Sequence, residues 1–322
     1  MIVTLTPNPA IDLTYHLPGF GIGDSQRVPP AQLRAGGKGI NVARVLHGQG
    51  YRAHAIVPIR DEFGSQFSAD LQASGIEHTT VPAPGTTRRT IAIVTPTETT
   101  NLNESGTAMD HRSWQRLVEV TLAALEQAAA ASAANTTPVL VCSGSMPPDP
   151  PPGFFRSLLH GAHALGARTI VDTSGPHLLA AADAGADVLK PNRAELQHAT
   201  GDEDLLRAAR SLARRGGVDR LVYLSLGADG MLAVPVEGPV LHARLERALS
   251  GNTTGAGDAA VAAIATVASL PDGTADTAHT LRLATAWSAA AVEHPLAGSL
   301  TDPQARMAQV GISEFAPEGI DR

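Results

Sequence analysis

The chain reads as an α/β fold: a mostly parallel central sheet with helices on both faces, plus a small β-sheet lid. Three observations predict it. Short runs of β-branched and apolar residues alternate with longer helical patterns along most of the sequence. Such alternation is what parallel strands joined by crossover helices produce. Two segments break the pattern, 11–35 and 86–104. The first is punctuated by Pro18, Gly19, Gly21, Gly23, Pro29 and Pro30. The second, TTRRTIAIVTPTETTNLNE, alternates and is rich in β-branched residues. Both read as strands outside the main sheet, forming a flap over the site.

Taken in order, strands are expected at 2–5 (IVTL), 53–57 (AHAIV), 138–142 (PVLVC), 169–172 (TIVD), 187–190 (DVLK), 220–225 (RLVYLS) and 231–236 (MLAVPV). Helical periodicity covers about 39–49, 63–74, 111–131, 153–165, 176–183, 193–199, 203–216, 257–269 and 278–293. The alanine-rich piece 122–134 contains Glu126 and Gln127 and reads as a surface-packed helix. The proline cluster 147–152 is a stiff loop rather than a linker, because helix resumes at once. No internal repeat is visible. One domain of 322 residues is expected, with lid segments at 11–35 and 86–104.

Composition excludes several classes. Apolar residues make up 43% and charged residues 17%, so the chain is globular rather than disordered. Aromatics at 3% and a net charge of −7 without a basic run argue against nucleic acid and acidic membranes as partners. No stretch is long and apolar enough for a membrane span, and the start, MIVTLTPNPAIDLTY, is no secretory signal. The one cysteine, Cys142, excludes an intrachain disulfide and fits a cytoplasmic protein; its apolar flank makes it a buried strand residue. The histidines show no metal-ligand spacing.

The most informative segment is Asn252-Thr253-Thr254-Gly255-Ala256-Gly257-Asp258, followed by an apolar alanine-rich run. A small-residue turn feeding a buried helix leaves first-turn amides without helical partners, and these favour an anion. Asp258 then sits beside a phosphate-sized cradle, where a carboxylate makes sense as acceptor of a proton from an attacking hydroxyl. The helix dipole is expected to depress its pKa. The rival reading is a plain N-cap.

Other segments carry weaker signals. Ala35-Gly36-Gly37-Lys38-Gly39-Ile40-Asn41 opens a helix without Walker spacing. Lys38 offers a point charge for a phosphate and Asn41 a hydrogen bond for a sugar hydroxyl; a glycine turn with an exposed lysine is the rival. Asp12 follows the first strand and can accept from a diol, or be a turn aspartate. Of Arg88 and Arg89, alternation sends one to the site and one to water. Ser143-Gly144-Ser145 and Asp172 lie at strand carboxyl ends, where ligands bind in such sheets. Asn192 and Glu195 share a helix-start face that can hold hydrated Mg²⁺, or form a capping box. Ser225 to Gly230 joins two strands as a turn or a pocket wall.

Together TPNPAID, AGGKGIN, SGSMP, KPNRAEL and NTTGAGD resemble, in order and over roughly residues 1–310, the ribokinase-like PfkB family of sugar kinases, its hexose-phosphate branch in particular. The resemblance implies a ribokinase-like three-layer fold and a cytoplasmic enzyme that uses ATP and Mg²⁺. The substrate implied is a ketohexose phosphate, first fructose 1-phosphate giving fructose 1,6-bisphosphate, otherwise tagatose 6-phosphate or fructose 6-phosphate. A kinase for an unphosphorylated sugar or nucleoside, and a non-catalytic sugar-phosphate sensor, are remoter alternatives.

It also implies roles. Asp258 would be the base, and Gly255, Ala256 and Gly257 the anion hole. Asp12, Gly37 and Asn41 would hold sugar hydroxyls; Lys38, Arg88, Arg27 and Ser143 would hold the substrate phosphate. Lys190, Ser225, Gly227, Gly230 and Thr254 would border the nucleotide, and Asn192 and Glu195 would organise Mg²⁺. Lys38 sets the branch, since family members acting on fructose 6-phosphate in the minor form carry glycine there. Asn252-Thr253, Met146 and the proline-rich loop depart from the family pattern, and Trp287 and His294 are expected near the adenine pocket. A homodimer through lid edges is a further expectation.

Overall fold

A computed structural model describes residues 1–60, 63–131, 136–247, 249, 251–271, 276–294 and 296–315. The chain begins β1 (Ile2–Leu5), β2 (Ala10–His16), β3 (Gln32–Gly36), α1 (Lys38–Gly48), β4 (Ala53–Ile59), α2 (Phe63–Ala73) and β5 (Glu77–Pro82). It continues β6 (Arg88–Val94), β7 (Thr99–Asn103), α3 (His111–Ala131), β8 (Val139–Ser143), α4 (Phe154–Ala164), β9 (Arg168–Asp172) and α5 (Pro176–Asp183). Then follow β10 (Val188–Leu189), α6 (Arg193–Thr200), α7 (Leu205–Arg214), β11 (Leu221–Ser225), β12 (Met231–Val234) and β13 (Leu241–Leu245). The last elements are α8 (Ala256–Ala268), α9 (Thr277–Val292), α10 (Pro303–Gln309) and β14 (Val310–Glu314). Residues 132–134 of the expected alanine-rich helix lie outside the described residues.

The large sheet has the order β14-β13-β12-β11-β10-β9-β8-β1-β4-β5. It is parallel from β11 to β5 and antiparallel across β12, β13 and β14. Alternate residues of its strands feed two separate cores. Val3, Leu5, Leu140 and Cys142 pack with Leu117, Phe154, Leu178 and Leu212 on one face. Ile2, Val139 and Val141 pack with Ile40, Leu46, Val261 and Leu281 on the other. This is the three-layer arrangement expected. Helix α8 is apolar all round, and Asp258 through Val267 are all buried, as an all-apolar helix must be.

A second sheet, β3-β2-β6-β7, stands apart, within the two segments that broke the alternation. The register places Arg34, Asp12, Thr90 and Asn103 in one row across its four strands. Directly paired residues project to the same face.

Elements without a periodic signature escaped the sequence reading: β5, β13, β14 and α10. Strand β5 (EHTTVP) is a polar edge strand with only Val81 buried. Strand β10 is shorter than expected. Asp187 turns away to accept from the Thr169 amide and hydroxyl, both at 2.7 Å, and Lys190 leaves the ladder for the site.

Candidate active site

The carboxyl ends of β1, β8, β9, β10 and β11 open toward the small sheet, and a cleft of about 810 Å³ lies between. Asp12, Thr90 and Asn103 face it from the small sheet; Asp172 and Lys190 at strand ends of the large sheet, and Lys38 and Asp258 at the starts of α1 and α8, face it from the other side. A more apolar cavity of about 300 Å³ adjoins, lined by Gly227, Ala228, Gly230, Leu245 and Ala289 among others. Asn192, Ser225, Thr253 and Gly257 line both cavities, so the two make one groove with a polar and an apolar end.

The start of α8 is built for an anion. Its N-cap is Gly255, with φ 88°, a conformation glycine adopts without strain. A Cβ there would come within 3.0 Å of Ala297 Cα. Gly255 and Gly257 line the polar cleft and Ala256 the apolar cavity. Thr254 is turned by its amide bond to Asn252 Oδ1 (3.0 Å) and also lines the cleft.

Asp258 is the third residue of α8, not its cap. Its Oδ2 accepts from Asn41 Nδ2 at 2.8 Å, and only 5% of the residue is exposed. Burial pushes its pKa up to about 6, against the pull of Lys38, the Asn41 bond and Lys190. The helix dipole favours the ionised form, and desolvation of a carboxylate deep in the protein outweighs it. A carboxyl near 6 is a far better proton acceptor at neutral pH than an ordinary aspartate.

Lysines and carboxylates alternate beside it. Lys38 Nζ donates to Asp172 Oδ1 (3.2 Å) and Glu195 Oε1 (3.3 Å). Burial alone would lower the Lys38 pKa, but Asp172, Glu195 and Asp258 together raise it above the ordinary lysine value. Lys190, 3% exposed, lies with Nζ 3.8 Å from Asp172 Oδ2. A Cβ on Gly257 would meet Lys190 Nζ at 3.3 Å, so this ammonium points at the helix start. Asp172, 1% exposed, thus bridges both lysines; sequence reading noted its strand end and gave it no role.

On the small sheet, Asp12 also rises to about 6, from burial, despite Arg88 and the Thr90 hydroxyl. Gly36 is required beside it, since a Cβ would overlap the carboxylate. Arg88 faces the cleft and Arg89 is exposed, as alternation requires. Arg88 Nε donates to Asn8 O (3.0 Å), and Asn8 Nδ2 donates to Ser105 O (3.0 Å). Asn8 therefore braces the cleft; the TPNPAID match was its only signal. Thr90 and Asn103 were missed because their roles come from register across strands far apart in sequence.

Asn192 and Glu195 form a capping box. Asn192 Oδ1 accepts from the Glu195 amide (2.8 Å) and Glu195 Oε2 from the Asn192 amide (2.9 Å). Glu195 Oε1 remains directed at Lys38 and the cleft. Among the described residues no cluster of three or more histidine, cysteine or acidic side chains forms a metal cage. Mg²⁺ in kinase sites needs none, taking one or two carboxylates with waters and substrate phosphates. Glu195 Oε1, the carboxylate oxygen outside the capping box, is the one that can meet such an ion.

Two expected residues are placed elsewhere. Arg27 is exposed in the loop between β2 and β3 and does not line the cleft. Ser143 is fully buried behind Asp172, to which its hydroxyl donates at 3.5 Å; it does not line the cleft and supports the carboxylate instead. Gly37 and Asn41 line the cleft as expected. Ser225 lines both cavities, and Gly227 and Gly230 the apolar one. Gly230 has φ 89°, and a Cβ would overlap Ala243 O. Trp287 faces the other way, buried against Tyr51 at a ring separation of 6.4 Å; its helix neighbours Thr285, Ser288 and Ala289 line the apolar cavity. His294 is outside it, its Nδ1 held by the Leu296 amide at 3.1 Å.

A groove with an anion-seeking helix start, a buried proton acceptor and an adjoining apolar chamber, roofed by a small sheet, defines the class of small-molecule phosphotransferases. More closely, the chain belongs to the pfkB family of carbohydrate kinases, whose family model matches residues 5–304. A 1-phosphofructokinase of Rhodobacter capsulatus is 34% identical over 307 residues, covering 90% of each chain. The structure of phosphofructokinase-2 from Escherichia coli in complex with fructose-6-phosphate is similar with TM-score 0.79 and 27% identity, over 95% of this chain and 98% of that one. A ribokinase from Giardia lamblia, 17% identical over 95% of this chain and 98% of its own, shares the fold at TM-score 0.74. Membership of a kinase family implies ATP as phosphoryl donor. No helix among the described residues is long and apolar enough to cross a membrane.

Proposed function

We propose that this chain, working as one kinase domain, phosphorylates the free hydroxyl of a ketohexose monophosphate, fructose 1-phosphate giving fructose 1,6-bisphosphate. One observation carries the reading: a cleft lysine, Lys38, stands beside the buried carboxylate Asp258 and shares its cleft with Arg88. An unphosphorylated acceptor needs a hydroxyl site but not these cations. The relatives' names support the same acceptor class.

The sugar hydroxyl oxygen attacks the γ-phosphorus of ATP, the bond from that phosphorus to the β-phosphate oxygen breaks, and ADP leaves. Asp258 takes the hydroxyl proton. First-turn amides of Gly255, Ala256 and Gly257 stabilise the transferring phosphoryl oxygens, with Lys190 beside them. Asp12, Gly37 and Asn41 hold sugar hydroxyls; Lys38 and Arg88 hold the phosphate already present. Thr254 and Ser225 border the nucleotide phosphates, and the apolar cavity past Gly227 and Gly230 takes the base. Asn192 and Glu195 would hold Mg²⁺, which neutralises charge on the ATP phosphates when bound.

The test is ADP release with Mg-ATP on fructose 1-phosphate, fructose 6-phosphate, tagatose 6-phosphate and free fructose. Preference for fructose 1-phosphate is expected. Preference for fructose 6-phosphate, the ligand of the Escherichia coli structure, keeps the mechanism and moves the phosphate. Preference for free fructose overturns the acceptor class.

A further inference from the structure

Arg34 lies in the small sheet and donates from Nη1 to Ala297 O at 2.7 Å, across 263 positions. Its partner loop is wedged against the phosphoryl end of the site. Ala297 Cα sits where a Cβ on Gly255 would be 3.0 Å away. A Cβ on Gly298 would meet Arg44 Cβ at 3.1 Å and Asn41 Cα at 3.4 Å. The loop therefore touches the N-cap of α8 on one side and the helix carrying Asn41 on the other.

At the sheet end, Arg34 is the direct partner of Asp12 in the row that continues to Thr90 and Asn103. One rigid strand pair thus carries both a sugar-facing carboxylate and the hold on the anion-hole loop. The sheet is fastened to the body nearby: Arg44, 4% exposed, donates from Nη1 to Ala35 O (2.6 Å) and pairs with Asp70. Arg34 also feels the charges of Asp70 and Asp12.

We propose that Arg34 is a positioning residue: through Ala297 it holds the Gly255 turn in place and couples the small sheet's position over the sugar to the phosphoryl cradle. It lines neither cavity of the groove. The inference rests on the proposed reaction for its kinetic consequence, but not for its structural one.

The test uses Arg34→Ala and the conservative Arg34→Lys, which can still donate one hydrogen bond. Hydrogen exchange is followed in ligand-free protein at the Ala259 amide, which donates to Gly255 O, and at the Thr301 amide, which donates to Ala290 O. Arg34→Ala should speed both about tenfold, with Arg34→Lys in between. On whichever of the four acceptors the wild-type protein turns over, Arg34→Ala should lower kcat roughly ten- to a hundredfold, as a displaced catalytic geometry does, while acceptor KM stays within about threefold. Arg34→Lys should recover most of kcat. Unchanged exchange overturns the proposal. So does a defect confined to acceptor KM, which would make Arg34 a partner of Asp12 alone. If wild type turns over none of the four, the proposed reaction falls, while exchange still decides whether Arg34 holds the helix start. Should Arg34→Ala fail to fold, the same readings on Arg34→Lys and Arg34→Gln decide it.

Discussion

Asn41 and Asp258, 217 positions apart, share a 2.8 Å hydrogen bond that ties α1, the helix after the glycine loop, to the start of α8. The bond fixes one carboxylate oxygen and leaves the other for the cleft. A plain helix cap would direct the side chain back to its own amides; this one points across to another helix. Asp258→Asn should therefore lower kcat by about 10²–10⁴-fold, the usual contribution of a general base. Affinity for a non-hydrolysable ATP analogue, measured by calorimetry, should stay within about threefold. Equal loss of both would assign Asp258 a structural role.

The same substitution makes a pH-dependent stability prediction. A buried carboxyl whose pKa is raised from 3.8 to about 6 binds its proton more tightly folded than unfolded. Its burial costs nothing below the unfolded value and progressively more as pH rises through that window. Asp258→Asn, still able to accept from Asn41, should equal wild type in melting temperature near pH 3.8 and exceed it above about pH 6. The plateau is at most about 3 kcal/mol. A melting-temperature difference independent of pH from 4 to 7 would contradict a raised pKa at Asp258.

Lys38 sits between Asp172 and Glu195 and balances their charge; the proposed reaction also gives it the acceptor's phosphate. Lys38→Ala should lower kcat/KM for a phosphorylated acceptor by roughly 10- to 100-fold, from loss of a charged hydrogen bond. The loss should fall mainly on KM, and free fructose should be no worse a substrate than before. A uniform drop on phosphorylated and free sugars would make Lys38 a balancing charge only.

The sequence disclosed what is periodic or short in range. Alternation located seven strands of the large sheet, β1, β4, β8, β9, β10, β11 and β12, and the segments GGKGIN, KPNRAEL and GAGD each landed on the cleft. What it could not disclose depends on packing between distant segments. Asp258 was read from its helix dipole, yet its environment is set by elements from the other half of the chain. Ser143 stands at the right strand end but behind Asp172. Arg34 and Thr90 look like any polar strand residues until register puts them in a row with Asp12.

The small sheet also predicts an assembly. Phe20, Ile22, Val28, Leu33 and Leu102 are exposed by 46, 97, 43, 46 and 54%, and all belong to that sheet or to the loop between β2 and β3. Strand β7 is exposed at every residue and forms one edge of the sheet. Clustered apolar side chains beside an unpaired edge mark an association surface. A second copy of the chain is the proposed occupant, since its own small sheet offers the same apolar face and a two-fold contact needs only self-complementarity. Sedimentation velocity at micromolar concentration should give a dimer. Ile22→Glu with Leu102→Glu should shift it to monomer and, since the proposed reaction places the small sheet over the sugar, raise the acceptor KM several-fold. A monomeric wild type over the whole concentration range would remove the dimer and leave the patch without its partner.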